Sequence, residues 1–104
     1  MDKLAALKEI LQLDPANAFA RYGLAMEHIA LGNPDAAIAE FATCIQHNPD
    51  YVPAYQISAQ TLVTLGRTDA ALVQLHAGIS AANRTGNQHA LAEMEAMRDG
   101  LTQD

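Results

Sequence analysis

The 104-residue chain has little of what catalysis, metal binding or export usually requires. Cys44 is its single cysteine, so no internal disulfide can form, and the residue suits a reducing compartment. Tryptophan is absent and aromatics make up only 5% of the residues. With alanine and leucine supplying most of the apolar mass, closely packed helices are favoured over a β-sandwich. Only six residues are basic (Lys3, Lys8, Arg21, Arg67, Arg84, Arg98), scattered among twelve acidic ones. The formal charge of −6 argues against a nucleic-acid partner, because neutralising phosphates takes clustered Lys and Arg. It disfavours an anionic membrane surface as well. No uninterrupted apolar run approaches the ~20 residues that span a bilayer, and Met1-Asp2-Lys3-Leu4 opens with mixed charge in place of an export signal. A cytoplasmic protein is expected.

Chemical motifs are equally scarce. The six glycines lie far apart, so no phosphate cradle is expected. His28, His47, His76 and His89 fall in no HExxH, and no paired CxxC or EF-hand loop occurs. His28 reads as a packed residue, and Cys44 as a small apolar one in a packing helix. The expectation is a chain with no catalytic residues, no metal site and no cofactor.

What the sequence does contain is a repeat. Ala18–Tyr51 laid on Val52–Thr85 superposes Ala20 on Ala54, Ala25 on Ala59, Gly32 on Gly66, Ala37 on Ala71, Phe41 on Leu75 and Ile45 on Ile79. A period of about 34 residues is that of a helix-turn-helix solenoid unit. Punctuation agrees: Asp14-Pro15, Gly32-Asn33-Pro34, Asn48-Pro49, Gly66 and Thr85-Gly86-Asn87 divide the chain into about six helices. Asn33 and Thr68 are expected to cap the helices that follow them, the second of which should run to about Asn83. Gly78 falls inside that helix, either because another helix passes close to it or as a mere irregularity.

These residues resemble the tetratricopeptide repeat, whose pattern is an aromatic, a small pair, another aromatic, an Ala, a Phe and a closing Pro. Leu24-Ala25, Ala37, Phe41 and Pro49 match in the first unit, where Arg21 replaces the opening aromatic and His28 the second. Tyr55, Ser58-Ala59, Ala71 and Leu75 match in the second, where Leu62 replaces the second aromatic. The resemblance implies an all-α fold, an αα-superhelix of such repeats in a single domain spanning residues 1–104. Residues 2–13 form a partial leading repeat, 18–51 and 52–85 the two full units, and 87–102 a capping helix or the start of a third unit.

In that family the first helix of each unit lines a concave face. The resemblance therefore implies a protein-binding groove of Phe19, Tyr22, Met26 and Ile29, then Pro53, Gln56, Gln60 and Val63, then Asn87, Ala90 and Met94. Phe, Tyr and Met suit an apolar side chain, and the glutamines suit an extended backbone. Alternatively, Phe19 and Tyr22 only pack against the N-terminal helix. Family members that clamp a terminal carboxylate do so with Lys, Asn and Arg. The matching places here hold Tyr22, Met26, Ile57, Asn87 and Leu91, so no such clamp is expected. A second candidate surface lies on the N-terminal helix, where Leu4, Leu7, Ile10, Leu11 and Leu13 span about half the circumference. Leu4, Leu7 and Ile10 are candidate homodimer contacts, unless the helix is wedged between two others. The function expected is an adaptor for a protein or peptide segment, with a self-assembling module as the alternative.

Overall fold

The computed structural model describes residues 2–103; Met1 and Asp104, which the sequence reading includes in the domain, lie outside the described residues. Six helices follow one another: α1 (Lys3–Leu13), α2 (Ala18–Ala30), α3 (Pro34–His47), α4 (Val52–Thr64), α5 (Thr68–Thr85) and α6 (Gln88–Thr102). Among the described residues there is no strand. The chain divides into two compact units, one ending at Pro49 and the other starting at Asp50. The first holds α1–α3 and the second α4–α6.

Glycine ends three of these helices by the same geometry. Gly32, Gly66 and Gly86 have φ of +79°, +76° and +72°, where a side chain would be strained. After α2, Asn33 N–H reaches His28 O at 2.8 Å and Gly32 N–H reaches Ile29 O at 3.0 Å. After α4, Arg67 N–H reaches Leu62 O and Gly66 N–H reaches Val63 O, both at 2.9 Å. This paired closure satisfies carbonyls that the helix itself leaves open.

Starts are less uniform. Asp2, Asn17 and Asn87 accept side-chain hydrogen bonds from Ala5, Ala20 and Ala90 N–H. Asn33 stands at the expected cap position of α3 without making that bond. Thr68 does not cap α5 at all. It is the first helical residue, Arg67 takes the cap position, and the helix runs on to Thr85, two residues beyond the expected Asn83.

Small residues set the packing distance. Ala25 and Ala37 in the first unit, with Ala59 and Ala71 in the second, are fully buried, so neighbouring helices approach closely. In the first unit α2 packs on both α1 and α3. Leu11, Ala20 and Leu24 form the α1–α2 core, with Leu4 and Leu7 against it. On the other side of α2, the Tyr22 ring lies 5.9 Å from Phe41, tilted by 54°. The second unit is built around Tyr55, Leu62, Leu75 and Met94, with Ala81, Ala82 and Ala90 beside them. Burying a side chain the size of Leu75 or Phe41 is worth about 1.5–3 kcal/mol.

Candidate protein-binding faces

In the first unit, the expected binding residues all lie on α2, spaced 3, 4 and 3 apart, so Phe19, Tyr22, Met26 and Ile29 share one face. Phe19 is 75% exposed, an uncommon state for so large an apolar ring. Met26 is exposed as well, while Tyr22 and Ile29 are half-buried. The face is apolar toward solvent and carries no charged residue. Tyr22 packs on Phe41 of α3, so the alternative of a ring that only braces the N-terminal helix is not what is seen.

In the second unit, Gln56, Gln60 and Val63 share a face of α4, with Pro53 exposed at its start. Gln60 is exposed. Gln56 Nε2 donates to Glu93 Oε1 at 3.3 Å, and the same oxygen lies 3.1 Å from His89 Nε2. Any ligand of Gln56 therefore competes with Glu93.

On α6 the expectation fails. Met94 is 0% exposed and Ala90 is also buried, so neither lines a surface. Met94 turns toward α5, its Sδ 2.6 Å from where a Cβ on Gly78 would be. Asn87 is exposed, but its side chain is engaged in capping α6, 3.1 Å from Ala90 N–H. Two of the proposed dimer contacts move inward too. Leu4 and Leu7 pack against the Leu11–Ala20–Leu24 core, with a Leu7 methyl 3.3 Å from a Cβ built on Gly23. Ile10 stays open to solvent, as does Leu13, and Leu4 and Leu7 do not.

The departures from the repeat pattern at Arg21 and His28 have different outcomes. Arg21 Nη1 donates to Glu40 Oε2 at 3.2 Å and Nη2 to Pro15 O at 3.0 Å, joining α2 to α3 and to the α1–α2 turn. The pair borders an open cleft of about 380 Å³ lined also by Lys8, Leu11, Gln12 and Leu24. His28 is half-buried, and its Nδ1, like Arg21 Nε, has no hydrogen-bond partner among the described residues. Cys44 is fully buried and its thiol donates to Ala18 O at 3.4 Å. Burial pushes this thiol above its ordinary range and so disfavours the reactive thiolate, an effect partly offset by the Arg21 charge. Burial raises Tyr22 likewise, with a smaller contribution from Cys44. Among the described residues no three His, Cys, Asp or Glu side chains are grouped to hold a metal, and no helix is long and apolar enough to cross a membrane.

A tetratricopeptide repeat family model matches residues 4–56 and again 28–94. A tetratricopeptide repeat domain protein from Salinibacter ruber, solved by NMR, is 34% identical with a TM-score of 0.80, covering 86% of this chain and 90% of its own. Two more distant structures share the fold. The Yersinia enterocolitica type III secretion chaperone SycD, in complex with a peptide of the translocator YopD, is 17% identical with a TM-score of 0.84, over 94% and 76% of the two chains. The TPR2B-domain:pHsp70-complex of yeast Sti1 gives 21% identity and a TM-score of 0.86, over 95% and 79%. Comparison with curated proteins gives no match. With two full units in register and the family's sequence signal across most of its length, the chain belongs to the tetratricopeptide repeat family.

Proposed function

We propose that the chain is a non-catalytic adaptor that binds a peptide or protein segment through the exposed faces of α2 and α4. The observation that carries this reading is the open, uncharged stripe on α2, where Phe19 and Met26 face solvent beside Tyr22 and Ile29. Soluble proteins rarely leave such a cluster uncovered without a use for it. Gln56, Gln60 and Val63 on α4 supply polar and apolar contacts of the kind an extended segment takes. The SycD structure, with its peptide of YopD, and the Sti1 domain, in its pHsp70 complex, support a protein or peptide ligand for this fold. The cytoplasm is the compartment we assign, on the strength of the unpaired cysteine.

The ligand we expect presents an apolar side chain to Phe19 and Met26 and carries little negative charge, given the −6 of the chain. Affinity should be modest, on the order of 1 μM or about −8 kcal/mol. Affinity capture from lysate followed by titration of the identified segment tests the assignment. Tyr22→Ala and Met26→Ala should each weaken binding about tenfold, or about 1.4 kcal/mol, with helicity unchanged by circular dichroism. Unaltered affinity in both variants means the segment binds elsewhere.

A further inference from the structure

Helix α1 has two apolar faces, and α2 covers only one of them. Leu4, Leu7 and Leu11 turn toward Ala20 and Leu24. Ile10 and Leu13 do not, and they are 44% and 91% exposed. With Lys3 and Ala6 they form a stripe at spacings of 3, 4 and 3, the pattern of a coiled-coil seam.

The repeat itself shows what this face ordinarily meets. At steps of 34 residues, Lys3 and Ile10 align with Ala37 and Cys44, then with Ala71 and Gly78. All four of those residues are buried, on α3 packed by α2 and on α5 packed by α4. On α1 the equivalent face meets no helix among the described residues.

Side-chain size selects the occupant. Ala, Cys and Gly let a neighbouring backbone come close, whereas Lys3 and Ile10 hold it off. Another solenoid helix of the α2 or α4 kind would therefore fit α1 poorly. A helix bearing its own Ile and Leu knobs fits well at the wider spacing, and α1 is such a helix.

We propose that the chain forms a closed twofold dimer in which α1 packs antiparallel on α1 of a second copy through Ala6, Ile10 and Leu13. Lys3 stands at one end of the stripe, beside Asp2 and 4.0 Å from Glu27 of α2, and Asp14 caps the helix at the other end. An antiparallel pairing sets Lys3 beside Asp14 of the second copy, and a parallel one would set Lys3 against Lys3. Lys3 also meets the carbonyl end of the opposing α1, whose last turn carries no basic residue of its own. Such a self-complementary contact closes at two copies and leaves no open end for a filament. This dimer does not depend on the peptide-binding reading, since its contacts lie on α1 and Tyr22 and Met26 take no part in it.

Sedimentation equilibrium and size exclusion with light scattering on the full chain, up to about 1 mM, test the proposal. The expected result is a mass twice that of the chain. Ile10→Lys and Leu13→Glu should each raise the dissociation constant at least about tenfold while the far-ultraviolet spectrum stays helical. Lys3→Asp should weaken the dimer, and Lys3→Asp combined with Asp14→Lys should restore it. A monomer across the whole range overturns the proposal. So does a dimer indifferent to both Ile10→Lys and Leu13→Glu, and a charge exchange without effect overturns the antiparallel register.

Discussion

Two glycines inside helices look alike in the sequence and differ in their surroundings. A Cβ on Gly78 would lie 2.7 Å from Tyr55 Cβ and 2.6 Å from Met94 Sδ, and the Tyr55 atom is tied to its backbone. Gly78→Ala therefore forces α4 and α5 apart. Overpacking of about 1–3 kcal/mol exceeds the ~1 kcal/mol that alanine gains in helix propensity. A Cβ on Gly23 meets only Leu7 Cδ2 at 3.3 Å, the end of a half-buried and flexible side chain. Gly23→Ala should raise the midpoint of thermal unfolding and Gly78→Ala should lower it, both read by circular dichroism. Only the first of these environments was legible in part: Gly78 inside a helix reads either as a place where another helix passes close or as a mere irregularity, and the structure shows the close approach. That Met94 fills the far side was not legible, because the sequence shows an apolar stripe on α6 without saying how deep it sinks.

At the scale of elements, the glycine that ends α2 and α4 was readable because a positive φ leaves few alternatives. The start of α5 was not. Thr68 is as good a cap as many, yet the chain enters the helix one residue earlier and Thr68 is already in its first turn. The face of α1 was also undecided in the sequence, since five leucine and isoleucine residues spread over half a helix leave the inward direction to whichever neighbour packs first. Arg21 is a third case. Its place in the pattern calls for an aromatic, and in the second unit Tyr55 fills that place as a buried ring. Arg21 instead holds α2 by hydrogen bonds to Glu40 and to the Pro15 carbonyl. Bonds to a charged donor are worth ~1.5–3 kcal/mol, less some screening at a partly exposed pair. Arg21→Met should cost about 1–2 kcal/mol in urea unfolding, and more than Glu40→Gln, which leaves the Pro15 bond intact.

For the molecule as a whole, stability is expected to be uneven along the chain. In repeat proteins each helix is held by its neighbours, so an outer helix with one covered face opens first. Leu11 is the only buried residue of α1, while α4 buries seven. Hydrogen exchange at low micromolar concentration should find α1 amides the least protected of the six helices, with α4 and α5 the most. Equal protection in α1 and α4 would contradict this. The repeat register and the all-α class were open to a reader of the sequence because period, alanine and glycine all point the same way. The binding residues were only half open: helix phase shows which positions share a face, but not which faces stay wet.

In the second unit Tyr55 presses on Gly78, and the matching positions of the first unit hold Arg21 and Cys44. Averaging the repeats into an idealised consensus could set a cysteine where Gly78 stands, with its Cβ 2.7 Å from Tyr55 Cβ. An engineer wishing to lengthen the array would therefore have to copy a whole unit and not a blend.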